Sequence, residues 1–215
     1  MIELIGYGIL DTLYVTVLST LLAYVIGLPL GLVLFAVSDE GLSPSRTLYR
    51  ILGGVVNFLR SVPFLILLVW VVPITRFIVG TAVGSKATIV PLVIAAFPFI
   101  ARMAEGSAKE VDRGVIEASL SMGASPFEII CHVILPEARP SLINGAAIVT
   151  MTVLSYNAMA GIVGGSGLGA IAINYGYYRG RSDIMSGMIV LLVLMVWFFQ
   201  TLGNYFSVKF DKRLK

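Results

Sequence analysis

Few residues in this chain have the types and the spacing that enzymatic chemistry requires. The single cysteine and the single histidine, Cys131 and His132, are neighbours, and no cluster of further ligands stands near them in the sequence. A zinc site takes several such ligands, so a metal site is not expected. Residues 84–86 (GSK) lack the upstream glycine of a phosphate-binding loop, because Val79 stands there. No G-x-x-x-x-G-K-[ST] pattern occurs elsewhere, so we expect no ATP hydrolysis by this polypeptide.

A second candidate for function is a row of side chains in one apolar segment. Four residues recur there at the spacing i, i+3, i+4 and i+7, which places them on one face of a helix: Thr152, Ser155, Tyr156 and Met159. Polar groups are costly in lipid, so this face should point to protein or water. It either lines a substrate path, with Met159 as a flexible plug, or forms interhelical hydrogen bonds.

The elements that position these residues are those of an integral membrane protein. Of the 215 residues, 58% are hydrophobic and 13% are charged, and the mean hydropathy is +0.95. Each span of a bilayer needs roughly 20 apolar residues, so the chain has room for about five or six spans and no large catalytic domain. The net charge of +3 indicates no nucleic-acid surface. We therefore predict an all-α integral membrane protein.

Five segments are apolar enough to cross the bilayer within a transmembrane domain over residues 12–208. The predicted spans are 13–37, 54–74, 81–101, 140–163 and 184–208. Within the first span, the segment Gly27–Gly31 (GLPLG) should bend or loosen the helix. The N-terminal segment has no basic region and no small-residue cleavage site, so we expect no cleaved signal peptide.

The distribution of lysine and arginine predicts the orientation of these spans. Four of the 15 basic residues fall on one side: Arg76, Lys86, Arg179 and Arg181. The other eleven fall on the opposite side: Arg46, Arg50, Arg60, Arg102, Lys109, Arg113, Arg139, Lys209, Lys212, Arg213 and Lys215. We therefore predict the N-terminus outside, and the C-terminus and the central loop, residues 102–139, in the cytoplasm.

The central loop is predicted to hold two short helices that meet at a tight corner over residues 122–125. Gly123 is typical of a helix C-cap. Ser125 can cap the second helix, with Pro126 at its first position and Glu128 at the capping-box position. Pro136 ends that helix.

Apolar residues of the second helix recur at helical spacing, which predicts one apolar face: Phe127, Ile130, Cys131 and Ile134. Two interpretations of the corner follow. The helix either lies on the lipid surface, or the corner docks on a cytoplasmic partner, with Met122 and Phe127 as apolar anchors.

The same residues carry a resemblance to a known family. Glu117-Ala118, Gly123 six positions after Glu117, and the pair at 135–136 (LP) match the EAA signature of ABC importer permeases, roughly EAA-x3-G-x9-I-x-L-P. Ser119 and Val133 depart from the signature, both mildly. Three further segments, residues 60–80, 96–103 and 164–177, are similar to the methionine branch of that family.

The resemblance implies a type I ABC importer permease fold with an EAA loop that docks on an ATPase subunit. The implied docking residues are Glu117, Ala118, Met122, Gly123, Ala124, Ser125, Pro126 and Phe127. The implied partners are a second copy of the chain, two cytoplasmic ATPase subunits and an extracytoplasmic binding protein, in the lipid of a bacterial inner membrane. ATP and Mg²⁺ would be bound by the ATPase, and no cofactor and no nucleic acid by this chain.

Several alternatives stay open. The substrate could be methionine, another amino acid or an osmolyte. An ATP-independent channel is disfavoured, because no acidic ring or filter-like repeat occurs, and an intramembrane enzyme lacks paired catalytic groups. Arg60 either extends to the membrane surface from a span end or pairs with a carbonyl or an acid. The outer loop with Gly164, Gly165, Gly167 and Gly169 either re-enters the membrane or meets the binding protein.

Overall fold

The structure, a computed structural model, describes residues 2–210 of the chain. Lys212, Arg213 and Lys215, three of the residues that predict the orientation, lie outside the described residues. Between residues 2 and 210 the regular elements are all helical, which confirms the predicted all-α fold class.

Eleven α-helices follow one another along residues 2–210, joined in three places by short π- or 3-10-helical segments. In chain order they are α1 (Ile2–Val37), α2 (Arg46–Ser61), α3 (Phe64–Trp70), α4 (Val72–Val79), α5 (Ser85–Lys109), α6 (Arg113–Ser121), α7 (Pro126–Ile129), a π segment (Ile130–Ile134), α8 (Leu135–Glu137), α9 (Arg139–Ala160), a 3-10 turn (Gly161–Val163), α10 (Gly167–Ile171), a second π segment (Ala172–Tyr177) and α11 (Ser182–Phe210).

Four stretches of helix in the described range are long and apolar enough to cross a membrane: Glu3–Val37, Ser85–Lys109, Arg139–Tyr177 and Ser182–Phe210. A fifth crossing results if α2 and α3 together form one span, although the chain bends by 104° between them. The region predicted as one span over 54–74 is therefore divided. The physical reason is Pro63, which lacks a backbone N–H and disfavours helical geometry at Val62.

The α1 helix continues without a break from Ile2 to Val37 through Pro29, and its glycines at 27 and 31 have a packing role. A Cβ atom at Gly27 would clash with the carbonyl oxygen of Phe97, and one at Gly31 with that of Ala101. The glycines therefore allow the backbones of α1 and α5 to pack closely.

The described residues form two compact units by their contacts. The first contains residues up to Ala23, Val62–Ala96 and Ile148–Thr201. One of its apolar clusters joins α10 and the π segment after it to α11, through the buried side chains Leu168, Ile171, Ala172, Ile184 and Met188.

The second unit contains Tyr24–Ser61, Phe97–Ala147 and residues from Leu202 on. One cluster packs the end of α1 against the end of α5 and the α7–α8 region, through Leu32, Phe35, Ala108, Val111, Ile129, Ile134 and Ala138. A smaller cluster, formed by Leu34, Val56 and Ala101, joins α1, α2 and α5.

Candidate functional site

The predicted corner between α6 and α7 is present, and we call residues Met122–Ser125 the corner. α6 ends at Ser121, and Gly123 has a φ of +84°, a left-handed conformation that favours glycine. The N–H of Gly123 donates to the carbonyl of Leu120 at 2.9 Å, and the N–H of Ala124 to that of Ser119 at 3.1 Å. These bonds satisfy the free carbonyls at the end of α6, as a glycine C-cap does.

The predicted capping box at the start of α7 is confirmed. The Ser125 hydroxyl accepts the N–H of Glu128 at 3.3 Å, while the Glu128 carboxylate accepts the N–H of Ser125 at 2.8 Å. The Ser125 backbone N–H, followed by the Ser125 hydroxyl, holds the pKa of Glu128 below its usual value. Pro126 occupies the first turn, where a missing N–H costs nothing.

The side chains around the corner divide into exposed and buried ones. Met122 is 81% exposed and Phe127 is 74% exposed, whereas Ile129 and Ile134 are fully buried. The four residues predicted on one apolar face differ in burial: Phe127 is exposed, as a docking anchor or a lipid contact would be, Ile130 and Cys131 are half-buried, and Ile134 is buried. The π segment Ile130–Ile134 follows directly and changes the helical repeat on which the prediction depends.

The two departures from the EAA signature are accommodated within the second unit. Ser119 is buried, and its hydroxyl donates to the carbonyl of Val115 at 2.8 Å. Val133 packs against the apolar cluster that contains Ile129 and Phe35. Glu117 and Ala118 are exposed on α6. The corner is therefore flanked by exposed side chains, while Ser119 and Val133 are packed within the second unit.

The four residues predicted on one face of α9 do share the more accessible side of that helix. Thr152 and Tyr156 are half-buried, Ser155 is exposed and Met159 is 39% exposed. The Thr152 hydroxyl donates to the carbonyl of Ile148 at 2.9 Å, and the Ser155 hydroxyl to that of Met151 at 3.1 Å. Both hydroxyls are therefore satisfied within α9, and neither links α9 to another helix of the described chain.

Sequence reasoning missed a neutral polar contact in the first unit, which we call the threonine seam: Thr12, Thr16 and Asn157. Asn157 is 1% exposed, and its amide nitrogen lies 3.4 Å from both the Thr12 carbonyl and the Thr16 hydroxyl. The Thr12 hydroxyl also accepts the N–H of Leu168 at 2.9 Å. The seam thereby joins α1, α9 and α10. An asparagine inside an apolar segment is the signal that could have revealed it.

The second unit contains a charged cluster around one buried acid, Glu105, with Tyr49, Arg102 and Lys109 as its partners. Glu105 is 3% exposed and accepts three hydrogen bonds. Its donors are Arg102 at 2.7 Å, Lys109 at 2.7 Å and the Tyr49 hydroxyl at 2.9 Å. The carboxylate is thus fully paired, as a buried charge must be. The sequence prediction placed these basic residues in the central loop, but α5 continues to Lys109.

Arg102 extends the charged cluster along one face of α2. It donates to the carbonyl of Gly53 at 3.0 Å and to the side-chain oxygen of Asn57 at 3.2 Å. Tyr49, Gly53 and Asn57 are spaced by four residues, so one guanidinium and one carboxylate hold two turns of α2 against α5.

Two further predicted features have definite positions. The Arg60 guanidinium carbon lies 5.6 Å from the centre of the Phe99 ring, a cation–π contact that was not among the predicted alternatives.

In the outer loop all five residues of α10, Gly167–Ile171, are buried. A Cβ atom at Gly161 would clash with the backbone of Ala170, so the loop folds tightly onto the first unit.

Two solved structures of transporters have chains that superpose on this one. A chain from a structure described as inward-facing conformations of the MetNI methionine ABC transporter superposes with a TM-score of 0.97 at 43% identity, covering 99% of this chain and 98% of that one. An amino acid ABC transporter chain at 19% identity shares the fold, with a TM-score of 0.78.

Curated relatives are similar over most of their length. The probable D-methionine transport system permease protein MetI of Vibrio cholerae is 46% identical over 203 residues, 94% of this chain and 90% of the relative. The D-methionine transport system permease protein MetI of Escherichia coli K12 is 47% identical over 161 residues, 75% of this chain and 74% of the relative.

The fold and the capped corner together define a multi-pass helical transport subunit. The family described as binding-protein-dependent transport system inner membrane component matches residues 23–215. The chain belongs to this family, and it is therefore a protein of the bacterial inner membrane, as its apolar helices require.

Proposed function

We propose that this chain is the permease subunit of an ATP-driven importer that moves methionine, in its D and L forms, across the inner membrane. The observation that carries the proposal is the match over nearly the whole chain to a chain of a methionine ABC transporter. The names of the curated relatives support the same substrate.

The proposed assembly contains two copies of this chain, two cytoplasmic ATPase subunits and an extracytoplasmic binding protein. ATP and Mg²⁺ are bound by the ATPase subunits, since this sequence has no phosphate-binding loop. The predicted orientation, with the N-terminus outside, puts the corner on the cytoplasmic side with the ATPase. Two copies related by a twofold axis enclose one central path.

The proposed ATPase-docking surface is the corner with its flanking residues: Glu117, Ala118, Met122, Gly123, Ala124, Ser125, Pro126 and Phe127. Met122 and Phe127 supply exposed apolar anchors. The capping box and the buried Ile129 keep the corner rigid, so ordering it on binding costs little conformational entropy.

The proposed substrate path follows the accessible face of α9: Thr152, Ser155, Tyr156 and Met159. The hydroxyls of Thr152 and Ser155 are satisfied within the helix, so they meet a passing substrate without leaving unpaired groups behind. ATP binding draws the docked corners together and ATP hydrolysis releases them. The path thereby alternates between outward-open and inward-open states.

The experiment reconstitutes the chain with its ATPase and binding protein in liposomes and measures ATP-dependent uptake of labelled methionine. Phe127→Asp places a charge in the docking surface, and we expect ATPase recruitment and uptake to fall at least about tenfold, the size of a hot-spot loss. Phe127→Leu is the matched control and should retain most uptake. Because Phe127 is exposed, neither change should affect folding.

The outcomes separate the alternatives. Equal uptake by Phe127→Asp and Phe127→Leu would assign the corner to the lipid surface instead. Competition by unlabelled amino acids and osmolytes identifies the substrate if methionine is not transported. Flux through the chain alone, without ATP, would indicate a channel.

A further inference from the structure

The start of α3 brings an aromatic ring onto the proposed substrate path. Pro63 has φ −58° and ψ 135°, an extended conformation, and α3 begins at the next residue, Phe64. The rings of Phe64 and Tyr156 are nearly parallel, with an interplanar angle of 4° and a centroid distance of 4.4 Å. The two residues are 92 positions apart in the sequence, so this contact is made only by the folded first unit.

The two rings differ in accessibility. Phe64 is 6% exposed, whereas Tyr156 is half-buried on the face that carries Ser155 and Met159. Phe64 lies on a short helix whose residues Leu67 and Leu68 are buried with it. Phe64 is therefore the fixed member of the pair and Tyr156 the member that faces the path.

Among the described residues the Tyr156 hydroxyl has no hydrogen-bond partner. Without a hydrogen bond to its hydroxyl, a tyrosine ring is oriented by its backbone-allowed rotamers and by the side chains packed against it. In this structure the stacked ring is Phe64. The orientation of Tyr156 thus depends on a residue that does not itself belong to the accessible face of α9.

We propose that Phe64 is a positioning residue for transport: it holds the Tyr156 ring at a fixed angle and so sets the opening beside Met159. The inference rests on the proposed function of the α9 face and goes beyond it, because it assigns a role to the break before α3. Pro63 separates α3 from α2. As a result α3 starts at Phe64, whose ring stacks on the ring of Tyr156.

The test compares four variants in the reconstituted importer: Phe64→Met, Tyr156→Met, the double variant and Leu67→Met. Phe64→Met removes the ring but keeps a large apolar side chain, and Leu67→Met makes a similar change one turn further on α3 at a buried site. Maximal uptake rate and half-saturating binding-protein concentration are measured separately.

We expect Phe64→Met to lower the maximal rate about two- to tenfold, the equivalent of one aromatic pair. The half-saturating concentration should stay unchanged, because Phe64 is buried and offers no surface for the binding protein to contact. Tyr156→Met should show a similar loss, and the double variant no further loss, since Phe64 acts only through Tyr156. Leu67→Met should resemble the unaltered chain.

Losses that multiply in the double variant would overturn the inference, as would an unchanged rate in Phe64→Met. Equal losses in Phe64→Met and Leu67→Met would also overturn it, because general packing of α3 would then explain both. If Phe64→Met fails to assemble, Phe64→Leu replaces it in the same comparison. Absence of uptake by the unaltered chain would instead refute the proposed function.

Discussion

The two units of this chain join their helices with different kinds of polar contact. In the first unit the threonine seam is neutral, and its amide contacts are long, 3.4 Å to Thr12 and Thr16. In the second unit the charged cluster is ionic and short, with Glu105 at 2.7 Å from both Arg102 and Lys109. Neutral groups lose little when a bond is imperfect, whereas buried ions need complete pairing.

This difference predicts which substitutions will destabilise each unit. A buried ion pair contributes little net stability over apolar packing, but loss of one partner leaves an uncompensated charge. A neutral seam between apolar helices contributes modestly and tolerates change. The charged cluster should therefore respond to single substitutions far more strongly than the threonine seam.

The largest effect is expected from Glu105→Leu. It leaves Arg102 and Lys109 without their shared acceptor, so the free energy of unfolding should fall by about 3 kcal/mol, the lower end of the range for a buried pair, because water reaches both cations. Chemical denaturation of the purified chain in detergent measures this. Glu110→Leu, at an exposed acid directly after the same helix, should change stability by less than about 0.5 kcal/mol. An equal loss of stability in both variants would show that the pairing of Glu105 does not make the second unit more sensitive to substitution.

A smaller effect is expected from Thr12→Val. The change keeps the shape of the side chain but leaves the buried Leu168 N–H without its acceptor, at a cost of about 1–3 kcal/mol. Thr12→Ser retains the hydroxyl and serves as the control. Denaturation under the same conditions should place Thr12→Val between Glu105→Leu and Thr12→Ser, and equal stability of the two Thr12 variants would contradict the assigned bond.

The smallest effect is expected from Asn157→Leu. The side-chain oxygen of Asn157 is buried without a partner among the described residues, and its nitrogen makes only long contacts. Their loss should change stability by less than about 1 kcal/mol. Asn157→Asp, which buries a charge at the same place, should be much more destabilising. A large loss in Asn157→Leu would show that the threonine seam is stronger than its distances indicate.

Local features were predictable from the sequence. Ser125, Pro126 and Glu128 lie within four positions, and their capping box depends only on bonds between near neighbours. Gly123 was predictable in the same way, because a glycine directly after a helix is typical of a C-cap in the left-handed conformation. The face of α9 was also predictable, because helical periodicity alone places Thr152 and Met159 together.

Contacts between distant segments were not predictable. Arg102 was assigned to a loop because a charge usually ends an apolar span, but its partners on α2 are 45 to 53 positions away. The π segment Ile130–Ile134 was not predicted either, because the spacing of Phe127 and Ile134 was interpreted as that of an uninterrupted α-helix. Periodicity gives no information about either.

The π segment Ile130–Ile134 also fixes the direction in which the corner points. Each residue of an α-helix advances about 100° around the axis. Deletion of one residue between α7 and α8 would therefore rotate Phe127 by about that angle relative to α9. Substitutions in this segment should therefore be tolerated during evolution, whereas insertions and deletions should not. A change of length would rotate the exposed anchors Met122 and Phe127 away from the surface that they contact.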